Sequence, residues 1–188
     1  MSNQKPIVLA SASPRRQELL RNAGIDFVVH SAGIPEVPFL GEQPRTFAER
    51  MSREKARTTR SQAGVILAAD TVVAVEDAIL GKPENTEDAR RMLRLLSNRT
   101  HEVITAVCLL GEGFEDVRSE MTHVHFNTMS EAEIADYVAS GEPMDKAGAY
   151  AIQGRASRWI SKIEGDYHNV VGLPVDLVRR MLQEHGVL

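Results

Sequence analysis

Asp70 lies inside Val65-Ile-Leu-Ala-Ala-Asp-Thr-Val-Val73, an apolar, β-branched run of the kind that forms a buried strand. A carboxylate without a partner there would cost several kcal/mol or give up its charge, so a metal ion, a lysine or a hydrogen-bond donor must meet it. Apolar residues resume at Val72 and Val73 and no Gly or Pro interrupts, which argues against an Asp that merely caps a strand end. Earlier, Ser11-Ala-Ser-Pro-Arg-Arg16 follows the short apolar stretch Ile7 to Ala10 and opens a helix, with Ser13 as N-cap, Pro14 as its first residue and Gly24 as its stop. Backbone N–H groups, two hydroxyls and two guanidinium groups at one helix start read as a phosphate cradle, the alternative being a capped helix with solvated arginines. Lys82, in Gly81-Lys-Pro83, stands on a turn returning toward the Asp70 strand, where Gly81 admits an unusual backbone angle and Pro83 fixes the exit. Lys55 falls one helical turn after the apolar Met51 and so leaves its helix near the buried face, as a snorkelling lysine also would. The chemistry these residues support is metal-assisted handling of a small phosphorylated ligand.

Several elements must position them. Phe27 to Ser31 suggests a second strand, leading through Gly33-Ile-Pro-Glu36 into Pro35 to Pro44, the one plausible linker, so that Glu36 is a loop acid on a flexible segment. Thr46 to Glu49 has the pattern of a capping box for the helix that carries Phe47, Met51 and Lys55, and Asn85 and Thr86 cap the next, whose Met92, Leu93, Leu95 and Leu96 face a core. His101 to Leu110 and Val117 to Phe126 form an antiparallel pair around Gly111-Glu-Gly113. His123 and His125 share a face of that pair, with no third metal ligand near in sequence, and Cys108 reads as a buried, inert thiol. Ser130 to Glu133 is a second capping box. In the polar-then-small stretch Glu142 to Gly154, Gly148 allows close backbone approach, and Gln153 offers the donor and acceptor that a base edge requires; without more, it is a loop followed by a short strand. Trp159 to Ile163 reads as the last strand, and Asn169-Val-Val-Gly-Leu-Pro174 leads into a final helix through Leu177, Met181 and Leu182.

The whole chain sets wider bounds. Its 188 residues suit one domain over 1–188, or two closely packed lobes, and 43% hydrophobic with 26% charged residues is an ordinary globular balance. No apolar run approaches the roughly 18 residues of a membrane span, and Met1 to Lys5 lacks a leader's apolar core. A net charge of -4 argues against broad binding to nucleic acid or an anionic membrane. The lone cysteine excludes an internal disulfide framework, so a cytoplasmic address is expected.

Six segments, Ser11-Ala-Ser-Pro-Arg-Arg16, Ala69-Asp-Thr-Val-Val73, Gly81-Lys-Pro83, Asp145-Lys-Ala-Gly-Ala-Tyr150, Gln153-Gly154 and Asn169-Val-Val-Gly-Leu-Pro174, resemble in order and spacing the Maf family of nucleoside triphosphate pyrophosphatases. The resemblance implies an α/β fold of two lobes around an elongated mixed sheet with flanking helices, similar to inosine triphosphate pyrophosphatases, with substrate in the cleft between lobes. It implies hydrolysis of a nucleoside triphosphate to a monophosphate and pyrophosphate with a divalent cation, Mg²⁺ or Mn²⁺. Asp70 matches the family's proton acceptor, with nearby cations keeping it ionised, and Ser11, Ser13, Arg16, Glu36, Lys55 and Lys82 match polar positions lining the site. Among these, Lys55 and Lys82 would share the catalytic work and Glu36, with Asp70, would hold the metal. Arg15, Thr71 and Gln153 match specificity positions and agree with the branch acting on dTTP and UTP, whereas the branch acting on 7-methyl-GTP usually carries an aromatic residue in place of Arg15. A homodimer is a candidate assembly, and the rival function is a non-catalytic nucleotide-binding regulator of septum formation and cell division. Two departures from the family pattern stand out: Asp77-Ala78 in place of Asp-Gly, and Ala156-Ser-Arg-Trp159, which adds bulk and charge after the base-reading segment.

Overall fold

The apolar run around Asp70 becomes the strand on which the sheet is assembled. In the computed structural model, which describes residues 6–31, 33–59 and 64–188, this is β3 (Val65–Val75), buried at every position but Thr71. A strand covered on both faces has no reason to alternate, which is why its sequence is almost continuously apolar. Along one edge β3 runs antiparallel to β5 (Thr100–Gly111), from Ile66 opposite Leu110 to Ala74 opposite Glu102. β5 turns into β6 (Phe114–Phe126), with Gly113 at φ +83° in the left-handed turn, and β7 (Ile160–Glu164) pairs with β6. The other edge of β3 is divided. β1 (Ile7–Leu9) runs parallel to its start, Leu9 opposite Leu67, and β4 (Ala78–Leu80) runs antiparallel to its end, Val73 opposite Leu80. Between them, residues 68–72 have no strand partner on that edge among the described residues. With the two-residue β2 (Val28–Val29) beside β1, the described residues form one mixed seven-stranded sheet in the order β2-β1-β3-β5-β6-β7, β4 lying off this path.

Helices cover both faces: α1 (Pro14–Asn22), α2 (Pro44–Thr58), α3 (Thr86–Leu96), α4 (Glu131–Ala139), α5 (Tyr167–Val171) and α6 (Val175–Glu184). Because strand side chains alternate, β3 feeds four apolar clusters. Toward α2, Ile66 and Ala68 pack with Ala56 in one cluster, and Val72 packs with Phe47, Ala48 and Met51 in another. On the opposite face Val65, Leu67 and Ala69 join Leu19 and Leu20 of α1 and Val178 and Met181 of α6, whereas Val73 and Val75 join Leu93 and Leu96 of α3 and Ile134 and Tyr137 of α4. Burying a Leu, Ile or Val in these clusters contributes about 1.5–3 kcal/mol each. Both faces break at the same level of β3. Asp70 stands between the clusters on the α2 side, and Thr71, paired with Thr105 of β5, stands between those on the other.

Local signals decide most boundaries. The Asn85 side chain accepts N–H bonds from Glu87 (3.0 Å) and Asp88 (2.9 Å), and the Ser130–Glu133 capping box is fully formed. The expected box at Thr46 to Glu49 is not: α2 begins three residues earlier, on Pro44, whose fixed φ suits a first helical turn, with Gln43 as N-cap and no side-chain cap bond. The final helix through Leu177, Met181 and Leu182 is α6, following Pro174 as expected, but the lead-in overlaps a further short helix, α5, which ends at Gly172 (φ +129°). Gln153 is followed by a 3₁₀ segment, Arg155–Trp159, rather than a strand, and the Phe27 to Ser31 strand shrinks to β2. Pro35 to Pro44 is no linker: it is held against α2. Among the described residues, no helix is long and apolar enough to cross a membrane, and the expectation for Met1 to Lys5 falls outside them.

Candidate active site

The stripe Phe47, Ala48 and Met51 seats α2 on the sheet, and Lys55, one turn beyond Met51, is carried with it into the same buried face. Its Nζ donates to Asp70 Oδ1 at 2.5 Å and meets Glu36 Oε1 at 2.6 Å. The two carboxylates differ in setting: Asp70 is 5% exposed, while the Glu36 side chain is 43% exposed. Burial pushes the Asp70 carboxyl above the usual carboxylate range, against the downward pull of Lys55 and Arg16. Burial also pushes Glu36 up, but there Lys55, Lys82 and Arg16 together prevail and hold it below its ordinary value. The cations thus act on Asp70 in the expected direction, and burial outweighs them.

Arg16 lies at the gap in the β3 edge. Its Nη1 donates to Ala69 O (2.9 Å), a strand carbonyl in the unpaired stretch, and to Ser11 Oγ (3.2 Å); Nη2 donates to Thr71 Oγ1 (3.0 Å) and Nε to Gly172 O (2.8 Å). A strand carbonyl left without a ladder partner needs a donor, and the guanidinium supplies it while tying α1 to β3 and to the end of α5. Burial lowers the Arg16 pKa, opposed by Asp70 and Glu36. Thr71 Oγ1 lies 2.9 Å from Thr105 Oγ1, whose own hydroxyl donates to Asn169 O at 3.0 Å. Ser13 is the N-cap of α1 by position, but its hydroxyl makes no capping bond.

A cleft of about 450 Å³ opens at this level, and all ten residues singled out above line it: Ser11, Ser13, Arg15 and Arg16 from the β1–α1 junction, Glu36, Lys55, Asp70, Thr71, Lys82 and Gln153. Lys82 and Gln153 are exposed on turns, and the Lys82 turn is fixed from outside, because Gly148 N–H donates to Gly81 O at 3.1 Å. Gly81 itself is not among the glycines with positive φ; that role falls to Gly148 (φ +69°), where a Cβ would come within 2.9 Å of Val73 Cγ1. Asp145, Lys146 and Tyr150 also line the cleft, as do the buried Val73 and Val103, which no sequence signal separates from ordinary core. Other candidates have other partners. His125 bonds Thr100 (2.7 Å) and Glu164 (2.8 Å), His123 lies 3.7 Å from Glu102, and burial pushes the Cys108 thiol up to about 12. Trp159 is buried in the cluster of α3 and α4, with its indole N–H on Glu133 and Arg158 over its ring, so the bulk of that departure is absorbed by the core rather than by the cleft.

The family described as Maf-like protein matches residues 6–185. The chain belongs to the Maf family. Among the relatives of this Maf protein, one from Koribacter versatilis (strain Ellin345) is 52% identical over 97% of this chain and 95% of its own length. One from Syntrophomonas wolfei is 49% identical over 95% and 96%, and one from Geobacter metallireducens 46% identical over the full length of both. Each is named dTTP/UTP pyrophosphatase.

No cluster of three or more His, Cys, Asp or Glu occurs among the described residues, but Glu36 and Asp70 converge on one point, at present held by Lys55 Nζ. Two carboxylates are what Mg²⁺ or Mn²⁺ needs from a protein when phosphate oxygens and water complete the shell, so the residues fit.

Proposed function

We propose that this Maf protein hydrolyses nucleoside triphosphates, dTTP and UTP foremost, at the α–β phosphoanhydride, releasing a nucleoside monophosphate and pyrophosphate. The observation that carries this reading is the buried Asp70 carboxylate, raised in pKa and paired with Lys55, in the same cleft as Arg15, Arg16 and Lys82. A general base works best with a pKa drawn toward the working pH, which suits Asp70, while Glu36, held ionised, suits a cation. Asp70 would take the proton of the attacking water as its oxygen bonds to the α-phosphorus. Pyrophosphate then leaves with the bridging oxygen, and Lys55, Lys82 and Arg16 offset the charge that builds there. A divalent cation held by Glu36 and Asp70 would supply Lewis-acid polarisation of the phosphate oxygens.

The names of the relatives support a pyrimidine substrate. Gln153, exposed on its turn at the cleft, has the donor and acceptor for a uracil or thymine edge, and Arg15 sets a like charge against a cationic 7-methylguanine. The two apolar clusters on the α1 and α3 side correspond in this reading to the two lobes, and the cytoplasm is the expected address.

The deciding experiment is pyrophosphate release over a panel of nucleoside triphosphates with Mg²⁺, Mn²⁺ or chelator. The expected result is cation-dependent release with the highest kcat/KM for dTTP and UTP. A purine triphosphate or 7-methyl-GTP at the head of the panel would overturn the specificity. Tight nucleotide binding with no turnover would favour a regulator.

A further inference from the structure

We propose that Arg50 is a positioning residue for Glu36, holding segment 37–42 on α2 and so placing the carboxylate that shares Lys55 with Asp70. The proposal rests on the reading of Glu36 as a working member of the site.

The segment from Gly33 to Gln43 contains no helix or strand; Ile34 packs on the cluster of Phe47 and Met51, but past Glu36 the apolar side chains do not anchor it, since Val37 is 66% exposed, Phe39 65% and Leu40 107%. Past Glu36, the position of residues 37–42 must come from polar contacts, and these meet at one guanidinium. Arg50 Nη2 donates to Val37 O at 3.0 Å, the carbonyl of the residue next to Glu36. Nε and Nη2 each donate to the Glu42 carboxylate at 2.7 Å, and Nη1 to Glu54 at 3.1 Å. The same group lies 3.9 Å over the Phe39 ring, and Glu42 in turn accepts the Phe39 N–H at 2.9 Å. The Arg50 and Glu42 side chains are 18% and 6% exposed, so this is a sheltered, two-pronged pair rather than a solvated surface bridge. Among the described residues, the only other hydrogen bond or ion pair of residues 33–37 is Glu36 with Lys55 itself. Arg50 precedes Lys55 by five positions on α2, so one helix carries both the ammonium and the clamp that presents a carboxylate to it. A lysine could not reproduce the fork and the carbonyl contact together.

A double-mutant cycle separates positioning from mere support of the fold. Wild type, Arg50→Met, Glu36→Gln and the double variant are compared for kcat and KM with UTP at several Mn²⁺ concentrations, with thermal midpoints measured in parallel. Arg50→Met is expected to lower kcat/KM about 10- to 100-fold, the scale of a misplaced active-site group, and to raise the Mn²⁺ concentration for half-maximal rate. In the Glu36→Gln background the same change should add less than about twofold, because its target is already gone. Multiplicative effects would overturn the proposal, as would wild-type turnover in Arg50→Met. Wild-type turnover in Glu36→Gln would overturn it together with the role given to Glu36, while leaving the pyrophosphatase reading intact; absence of turnover in the wild type would instead sink that reading. If Arg50→Met does not fold, Glu42→Gln, which opens the clamp from the loop side, runs the same cycle.

Discussion

Two carboxylates share the Lys55 ammonium at 2.5 and 2.6 Å, and their different burial sends them in opposite directions. Asp70→Asn keeps volume and leaves Glu36 on Lys55, so the fold and nucleotide binding should persist while kcat falls by about 10²- to 10⁴-fold, as loss of a general base does. Steady-state kinetics beside a thermal midpoint check this, and a change in KM alone would make Asp70 a binding residue. As a base Asp70 must be ionised, so kcat/KM should fall with acidification through a pKa above the ordinary carboxylate value. Lys55→Met removes the strongest downward pull on Asp70 and should move that acid limb to higher pH; an unmoved limb would remove Asp70 from the titration. Lys82→Ala should cost about 1–3 kcal/mol of transition-state stabilisation with every triphosphate, and dependence on the base would put Lys82 at the wrong end of the cleft. Asp70 was legible in the sequence because a charge in an apolar run contradicts its surroundings. The partners of Arg16 were not: Gly172 lies 156 positions away and offers only a carbonyl, which every residue has.

At the scale of elements, the site exists because two short strands divide one edge of β3 and leave its middle open. The long strands, the hairpin and the capped helices could be read from the chain, since each shows several periods of its pattern or a specific cap. α5 and Arg155–Trp159, at five residues each, are too short to show one, and the Gly148–Gly81 bond that fixes the Lys82 turn is a contact between distant turns. That contact can be tested. Gly148→Ala forces a non-glycine residue into φ +69° and drives a methyl against Val73 Cγ1, at 2.9 Å. Overpacking of this kind costs about 1–3 kcal/mol and should appear as a lower midpoint in urea. Pairing it with Val73→Ala should relieve the collision but not the backbone strain, so recovery should be partial. Full stability in Gly148→Ala alone would mean that the two turns are not packed as described.

Over the whole molecule, His101 makes stability depend on pH. It is buried on β5 against Phe126, its Nε2 lies 2.7 Å from the Tyr150 hydroxyl, and burial pulls its pKa from 6.5 down to about 3. Between those values the unfolded chain binds the proton and the folded chain does not, so stability is full above pH 6.5 and declines as pH falls toward 3. From pH 6.5 to 4 the loss should be on the order of 3 kcal/mol, measurable by urea unfolding, and His101→Gln should flatten it. Glu42 and Asp116, held low by Arg50 and by Arg118 and His185 against burial, add to acid lability only nearer their own range, whereas Asp70, raised by burial, works in the opposite sense. A profile already flat in the wild type would place His101 in contact with water. The cluster beneath the β1–α1 junction has one more consequence, for the order in which a ribosome delivers the chain. Leu9, Leu19 and Leu20 emerge early, but they are covered by Leu173, Val178, Met181 and Val187, whereas the cluster of α3 and α4 is complete once Trp159 has appeared. During synthesis the half that carries Ser11, Ser13 and Arg16 therefore waits, with its leucines only partly covered by β3 and β5, until α6 has been made, whereas the half around α3 and α4 need not.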